Sequence, residues 1–485
     1  MNLSKSLNRH LFIVSAFFIV LQIAHLNSIG QIATSSPYSR YGIGDITGKG
    51  LSQAFALGGS NIALQNDTTP VFFINSSNPA SYSNIRLTTA ELGVNFSRLQ
   101  LQSESTQKSI NNASVGYITL AFPFKKWWGA SAGLTPYSSV GYNVKEQQTI
   151  SNVGNVDFLY QGNGGINQAY FGNGIKPFYG LPMLFMKSKK YQRLKEEKKD
   201  SIIYRILKRQ KALQSLSLGI NVSYMFGGIS HEQRSIFPLN AFAYNTYTSS
   251  TTRIGDIYLD YGAQYAYTID SLNGRDLKDN VQLLVGATYA AQSNINAKID
   301  SLSYTYSLDA LGNKHYKDTI TNTEGSKGKI TFPLSFGFGL GFKKGDQWLI
   351  TSDFAIQNWS SLVIFNQPQG LKNSMRVSFG AQFIPNSKAS GKGSFLKRVN
   401  YRIGARYLQS SIVVKQTQLI ENAISFGLGL PVGRNFLLQN FSMVNIGVEI
   451  GQRGTTANGI IKEQYVKALL GFTINDKWFV KPKYD

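Results

Sequence analysis

The sequence predicts an all-β fold, a 14-stranded antiparallel transmembrane β-barrel that follows a non-strand N-terminal segment and has one basic helical insertion in a periplasmic turn. Residues 332–342 alternate large apolar residues with glycine, serine or proline, and the same alternation recurs at 216–226, 424–430 and 444–450. No apolar run reaches the roughly 18 residues that a membrane-spanning helix needs. Glycine, phenylalanine and tyrosine number 46, 30 and 26, and aromatic residues are typical where barrel strands cross the membrane interfaces.

Each alternating segment has one apolar face and one face of small residues. In residues 332–342, for example, Phe336 and Phe338 share one face, whereas Gly337 and Gly339 share the other. The exposed face of a soluble sandwich would carry charged residues and threonine. Glycine, serine and asparagine instead suit the interior of a closed barrel whose exterior contacts lipid.

The N-terminus has the features of a secretory signal peptide over residues 1–30. Lys5 and Arg9 precede an apolar run at 11–24, and small residues before Gln31 form a cleavage site. The alternative is a membrane anchor, but this run is shorter than the roughly 20 residues that a helix needs to cross a bilayer. The chain contains no cysteine, which excludes a lipoprotein anchor, disulfides and thiolate metal sites.

Fourteen segments have a strand-like pattern. They are 86–103, 111–124, 128–147, 165–178, 214–230, 254–270, 280–299, 329–343, 347–365, 373–385, 397–413, 422–432, 441–453 and 462–475. An even number returns the chain to its starting side, so we expect a multi-pass outer-membrane barrel over 86–485 with both mature termini in the periplasm. Long connections at 148–164, 231–253 and 300–328 are then expected to be external loops.

A charged insertion at 183–212 interrupts one of the short connections. Between Lys187 and Lys211 it contains eleven lysine or arginine residues and three acidic residues, in a helix-favouring sequence. One interpretation is a docking surface for anionic headgroups or an acidic protein partner in the periplasm or outer membrane. The other is a solvated helical hairpin without a partner. The candidate contact residues are Lys187, Lys189, Lys190, Arg193, Arg205, Lys208 and Arg209.

The formal net charge of +23 would ordinarily suggest nucleic-acid binding. We do not expect it, because a secreted barrel rarely meets nucleic acid and the chain has no recognised nucleic-acid motif. Contacts with membrane lipid headgroups explain the basic turns more simply.

We expect neither catalysis nor a cofactor. Residues 129–133 match the G-x-S-x-G pattern of serine hydrolases, but that motif requires a strand-to-helix turn and a histidine partner. Ser131 lies inside an alternating strand, and His231 and His315 lie in predicted loops far away along the chain. No histidine or carboxylate group has the spacing of a metal site.

The segment 31–85 lacks strand alternation and contains the most specific motif of the chain. The motif combines a glycine turn, an aspartate turn and an Asn-Pro-Ala sequence; its residues are Gly58, Gly59, Asp67, Asn78, Pro79 and Ala80. This order before a predicted 14-stranded barrel resembles the N-terminal hatch of the FadL-type family of outer-membrane transporters for long-chain fatty acids and aromatic hydrocarbons. The chain is similar to a divergent branch of that family over residues 35–145, and beyond them only the architecture matches.

The resemblance implies a hatch that plugs the barrel and a passive channel that takes up a hydrophobic small-molecule ligand. In that family an irregular third strand opens the wall sideways, and this chain has Pro136 in its third predicted strand. Because proline lacks the donor that a strand ladder needs, we expect a break or bulge there. The resemblance implies that this irregularity is a lateral opening, and a structural bulge without transport is the alternative.

The ligand pocket of the family has no counterpart that can be placed in this sequence. Aromatic and glycine-rich segments at 162–165 and 237–247 are candidates for ligand-holding loops. Some barrels of this superfamily are non-transporting structural or accessory subunits of outer-membrane secretion or assembly complexes. The basic insertion favours this second function.

Overall fold

Antiparallel strands dominate the structure and join into one continuous sheet. The computed structural model describes residues 34–48, 50–65, 73–238, 243–269, 281–309, 311–391, 393–435 and 440–476. The predicted signal peptide at 1–30 therefore lies outside the described residues.

Nineteen strands are found in the described ranges. They are β1 (Asp45–Ile46), β2 (Thr88–Gln102), β3 (Gln107–Lys125), β4 (Trp128–Ile150), β5 (Gly154–Ile175), β6 (Leu216–Ile236), β7 (Asn245–Ile269), β8 (Val281–Ala290), β9 (Ser293–Leu308), β10 (Lys314–Phe332), β11 (Ser335–Lys344), β12 (Trp348–Gln357), β13 (Val363–Ile364), β14 (Gln367–Pro368), β15 (Ser374–Phe383), β16 (Asn400–Val414), β17 (Thr417–Asn435), β18 (Asn440–Arg453) and β19 (Lys462–Asp476).

These strands make a closed barrel of 14 antiparallel members in the described chain. The short strands β1, β13 and β14 are not full barrel members. Strands β8 and β9 form one interrupted member, because both pair with β7, and β10 and β11 form the next. The last strand closes the wall by pairing with β2, with Gly471 opposite Gly93.

The predicted all-β fold, a closed barrel of 14 antiparallel strands, is confirmed. Each of the 14 predicted segments overlaps one member of the barrel, in the same order. On β11 the alternation acts as expected, since Phe336 and Phe338 are exposed on the outside and Gly337 and Gly339 are buried. Burying this outer face in lipid favours insertion by roughly 25 cal/mol for each Å² of apolar surface.

The prediction of three long external loops is wrong. Segments 148–164, 231–253 and 300–328 are mostly strand, because β4 to β7, β9 and β10 extend well past the apolar part of the wall. The candidate ligand loop at 162–165 likewise lies within β5. One predicted strand is also too long, since β12 ends at Gln357 and the chain then turns into the lumen.

Five α-helices lie in the described residues. They are α1 (Ser52–Ala56), α2 (Leu181–Met186), α3 (Lys189–Glu196), α4 (Asp200–Gln214) and α5 (Phe395–Arg398). Four 3₁₀ helices accompany them, at Pro37–Arg40, Pro79–Asn84, Trp359–Ser361 and Ala457–Gly459. Helices α2 to α4 form the insertion between β5 and β6, and we call this end of the barrel the insertion end. None of the described helices is long and apolar enough to cross a membrane.

An apolar cluster fills part of the lumen toward the opposite end. Tyr137 of β4 stacks on Phe332 of β10 with ring centroids 5.4 Å apart, and Tyr258 packs against both rings. Trp359 and Leu362, from the segment after β12, are 3% and 1% exposed within this cluster. The lumen is therefore packed on the side of β4 to β11.

The outer part of β10 forms a free strand edge beyond the membrane wall. From Lys314 to Gly328 its ladder partners lie on β9, whereas on its other edge Lys329 accepts a hydrogen bond from the Phe365 amide and Ile330 pairs with β13. The β9–β10 ladder has three register shifts along this stretch. This part of β10 is almost entirely exposed to solvent.

Candidate functional site

The N-terminal segment packs against small residues on the inner face of the wall. A Cβ atom added to Gly219 of β6 would lie 2.3 Å from the Pro79 carbonyl carbon, and one on Gly404 of β16 would lie 2.1 Å from the Gly58 nitrogen. Real Cβ atoms do not approach backbone so closely, so glycine is required at both positions. The small-residue face is thus shaped by the backbone that it contacts.

The Asn-Pro-Ala motif forms the main turn of this segment. Asn78 caps the 3₁₀ helix Pro79–Asn84 by accepting a hydrogen bond from the Ala80 amide at 3.2 Å. Its Nδ2 donates to the carbonyl of Ile62 at 2.8 Å and to the carbonyls of Ala263 and Ala287 at 3.2 and 3.3 Å. Asn78 and Ala80 are fully buried. One side chain therefore links the turn to strands β7 and β8.

We expect Asn78→Ala to destabilise the folded barrel by about 2 to 3 kcal/mol. The substitution removes a helix cap and the hydrogen bonds that the buried Asn78 amide group donates to Ile62, Ala263 and Ala287. Thermal unfolding of the full chain in detergent measures the loss. Asn111→Ala, at an exposed position of β3, is the matched control and should leave the melting temperature unchanged; an equal shift in both variants would contradict the role of Asn78.

The glycine turn of the motif lies on the opposite side of the lumen. Gly58 and Gly59 have φ values of +68° and +81°, a conformation that L residues with side chains rarely adopt. The Gly58 amide donates to Ser425 Oγ of β17 at 2.9 Å, and nearby Asp353 of β12 accepts from the amide of Asn61 at 2.6 Å. The third motif element, Asp67, lies outside the described residues.

Pro136 marks a bend that crosses neighbouring strands. The β4–β5 ladder shifts register between Pro136 and Ser138, so Tyr137 is an extra residue and its side chain enters the apolar cluster. A few residues further along the same ladder, Gly164 of β5, the partner of Val140, has a φ of +106°. Missing donors and bulges of this kind bend a strand and interrupt its pairing.

Beyond this bend the wall lacks backbone pairing between two adjacent strands. The β3–β4 ladder runs from the pair Lys125 and Trp128 to the pair Ile118 and Leu134 and then stops. Residues 107–117 of β3 and 135–150 of β4 are all described, and no ladder joins them. We call this unpaired stretch the seam.

A strap from the N-terminal segment, residues 34–48, lies behind the seam and contacts both of its sides. Its β1 residues Asp45 and Ile46 pair with Ser139 and Ser138 of β4. On the other side, Ser35 Oγ donates to Asn112 Oδ1 of β3 at 2.9 Å. The strap thus bridges the two strands that do not pair with each other.

Buried charges hold the strap to the wall. Arg453 Nη1 of β18 lies 2.8 Å from Asp45 Oδ1, and Arg453 Nη2 lies 2.6 Å from Glu463 Oε2 of β19. Arg453 Nη2 also donates to Ser36 Oγ at 2.6 Å. A second group joins Arg406 Nη2 to Glu421 and Glu449 at 2.7 and 2.9 Å. Such paired charges are stable only while each keeps its partner.

A cavity of ≈ 870 Å³ lies behind the seam and the strap. Val115 of β3 and Pro136 of β4 line it at the seam, and Asn61 and Ile62 close it toward the insertion end. Its wall combines apolar groups with the paired charges of Arg406 and Arg453. The cavity can hold a small molecule and reaches the wall where backbone pairing is interrupted.

The sequence profile of the BamG family matches residues 12–185 and 209–485. The chain belongs to the BamG family. Among curated protein sequences, none matches it.

Solved structures place this BamG-family barrel in the FadL-type fold. A Pseudomonas aeruginosa FadL homologue is 10% identical with a TM-score of 0.52, covering 90% of this chain and 99% of that one. The Pseudomonas putida toluene transporter TodX is 12% identical with a TM-score of 0.50, covering 90% and 100% of the two chains. The resemblance inferred from the sequence is therefore confirmed at the level of the fold.

The basic residues of the insertion lie apart from the cavity in this BamG-family protein. Lys187, Lys189, Lys190, Arg193, Arg205, Lys208 and Arg209 are all exposed on or beside helices α3 and α4. One acidic neighbour is paired, since Glu197 lies 2.6 Å from Lys199 and 2.8 Å from Arg193. Hydrogen bonds from Lys199 and Arg193 hold the pKa of Glu197 below its usual range.

The hydrolase-like sequence occupies an ordinary barrel strand. Ser131 Oγ donates to the Leu120 carbonyl at 2.9 Å and lies 3.1 Å from the Tyr170 hydroxyl. His231 Nδ1 instead lies 2.8 Å from the hydroxyl of Tyr142. Within the described ranges, no group of three or more histidine, aspartate or glutamate residues could hold a metal ion.

Proposed function

We propose that the protein is an outer-membrane channel for the passive uptake of hydrophobic small molecules, such as fatty acids or aromatic hydrocarbons, with lateral exit through the seam. The seam carries this proposal, because an unpaired stretch of wall with a cavity behind it offers a path into the membrane. TodX, which has the same fold, is a toluene transporter, and this likeness supports a hydrophobic ligand.

A lateral path has a clear energetic reason. Each methylene group that leaves an apolar environment for water costs about 0.8 kcal/mol. A molecule that moves from the cavity through the seam into lipid never enters the water on the insertion side. The hatch at Asn61 and Ile62 closes that direction and favours the sideways route.

In this mechanism the strap is the movable part. Because β1 pairs with Ser138 and Ser139, the strap covers the β4 side of the seam. Passage therefore requires residues 34–48 to shift away from β4. The ion pairs of Arg453 with Asp45 and Glu463 oppose this motion and favour the closed state.

A disulfide between Ile46→Cys and Ser138→Cys is expected to abolish uptake. The two positions are direct partners in an antiparallel ladder, where Cα atoms are about 4.5–5.5 Å apart, a distance that a disulfide spans. The natural chain has no cysteine, so no other disulfide competes. Uptake of a radiolabelled fatty acid and of toluene is measured in cells that depend on this protein for entry of the compound.

The matched control is Leu340→Cys with Ser352→Cys, another direct ladder pair that lies far from the seam. Oxidation should block uptake in the strap variant, reduction should restore it, and neither should affect the control. Uptake that continues through the oxidised strap variant would contradict lateral exit. Wild-type uptake no higher than in cells without the protein would contradict transport.

A second candidate function is a non-transporting structural or accessory subunit of an outer-membrane secretion or assembly complex. The apolar cluster favours it, because Tyr137, Phe332 and Trp359 fill part of the lumen through which a ligand would have to pass. Purification from the native outer membrane distinguishes the two functions. A stable protein complex, together with absent uptake, is expected for a subunit.

A further inference from the structure

We propose that the insertion formed by helices α2 to α4 is a membrane-surface anchor that binds anionic lipid headgroups of the leaflet at the insertion end. The proposal concerns a surface remote from the cavity. It holds whether the barrel transports a molecule or serves in a complex.

The insertion is attached directly to strands that contact lipid. Helix α4 ends at Gln214, and β6 begins at Leu216, after a single intervening residue. Leu218, two positions along β6, is exposed on the outer face. On the other side, the exposed residue Ile175 ends β5, and α2 begins at Leu181. These short connections keep the helices near the headgroup layer next to the hydrocarbon band.

The charge of the insertion matches an anionic surface. All eleven lysine and arginine residues between Lys187 and Lys211 are exposed, against three acidic residues in the same stretch. Glu197 is already paired with Arg193 and Lys199. Each basic residue near an anionic membrane surface adds to the attraction between the protein and the membrane. The remaining basic residues are therefore enough to hold several anionic headgroups.

Exposed apolar side chains accompany these charges. Met183 and Leu184 of α2 are 61% and 66% exposed, and Tyr204 of α4 is 63% exposed. The small core of the insertion is already formed by other residues, with Phe185 and Tyr191 in edge contact at 5.6 Å. The exposed groups are thus not needed for packing within the insertion. A basic face with apolar side chains is typical of helices that lie at a membrane interface.

The type of basic residue favours lipid over an acidic protein. Of the eleven basic residues, eight are lysines and three are arginines. Lysine acts as a flexible point charge, whereas arginine suits the fixed two-point contacts of carboxylates. Lysine is also depleted in protein interfaces. A lysine-rich surface beside the hydrocarbon band therefore fits mobile headgroups better than a shaped acidic partner.

The test counts the lipids that stay bound to the full-length protein. The protein is reconstituted in nanodiscs of phosphatidylcholine with a minor fraction of phosphatidylglycerol, and native mass spectrometry counts each lipid on the released barrel. The insertion variant carries glutamine at Lys187, Lys189, Lys190 and Arg193. The matched control carries glutamine at four exposed lysines of the opposite end, which are Lys108, Lys298, Lys372 and Lys415.

We expect the insertion variant to lose phosphatidylglycerol enrichment by about tenfold, which corresponds to about 1.4 kcal/mol. The control should retain the wild-type enrichment, and added salt should weaken the wild-type effect. Equal enrichment in the wild type and the insertion variant would overturn the proposal. Equal loss in the control would also overturn it. Charge-dependent capture of an acidic protein with unchanged lipid counts would assign the surface to a protein partner instead.

Discussion

Replacing Arg453 with glutamine is expected to release the strap. It should destabilise the closed state, in which the strap covers the seam, by about 3–5 kcal/mol. The guanidinium group lies between the carboxylates of Asp45 on the strap and Glu463 on β19. Glutamine cannot balance either charge, so the buried carboxylate of Glu463 and the partly buried carboxylate of Asp45 would both lose their cation. Because Asp45 is the strap member of this group, the repulsion should separate the strap from the wall.

Cysteine labelling measures this release. Ile43 is 2% exposed on the strap, and a cysteine at this position should be protected from a membrane-impermeant maleimide in the closed protein. Labelling should become much faster when Arg453→Gln is added. The matched control is Arg98→Gln, which removes an exposed arginine of β2. A folded Arg453→Gln protein that labels at the rate of the control would show that the ion pairs do not hold the strap.

Substituting valine for Gly219 is expected to displace the Asn-Pro-Ala turn and to open the lumen to ions. The new Cβ would lie 2.3 Å from the carbonyl carbon of Pro79 and 2.4 Å from the amide nitrogen of Ala80. Both contacts are with backbone, which cannot move away by a change of rotamer. Overpacking of this kind costs about 1–3 kcal/mol or more, and here the turn must leave its place on the wall.

Gly228→Val in the same strand is the matched control, because its Cβ would have its nearest neighbour at 3.8 Å. Planar-bilayer recordings of the full chain should show a steady conductance for Gly219→Val and none for the wild type or Gly228→Val. Thermal unfolding should show a lower melting temperature for Gly219→Val alone. A closed and fully stable Gly219→Val barrel would show that the turn tolerates a side chain at this contact.

The alternation of large and small residues predicted the strands well where they cross the membrane. On β11 the outward position of Phe338 and the inward position of Gly339 follow directly from the sequence, because lipid and lumen select different residues. The same rule does not identify the parts of strands that extend beyond the membrane. Residues 314–327 of β10 continue as strand, yet both of their faces contact water, so no apolar face marks them. The sequence pattern therefore placed external loops where the strands continue.

The bend at Pro136 could be predicted because one residue type causes it locally. The charge group of Asp45, Arg453 and Glu463 could not be predicted, because Asp45 and Arg453, which share a hydrogen bond, are 408 residues apart in the sequence. For the second charge group one signal was present, since Glu449, a partner of Arg406, stands on the small-residue face of β18, where a buried charge requires a partner. Which partner it finds depends on the closure of the barrel and cannot be read from neighbouring residues.

The free edge of β10 has a consequence for how copies of this protein coexist in a crowded membrane. The unpaired edge of β10 from Lys314 to Gly328 could template pairing with the same edge of a neighbouring copy. Its three register shifts misalign the donors and acceptors, and Lys317 and Lys327 would place like charges against each other. The edge is thereby protected from sheet-to-sheet polymerisation, so long strands can project beyond the membrane at the end opposite the insertion without joining barrels into aggregates.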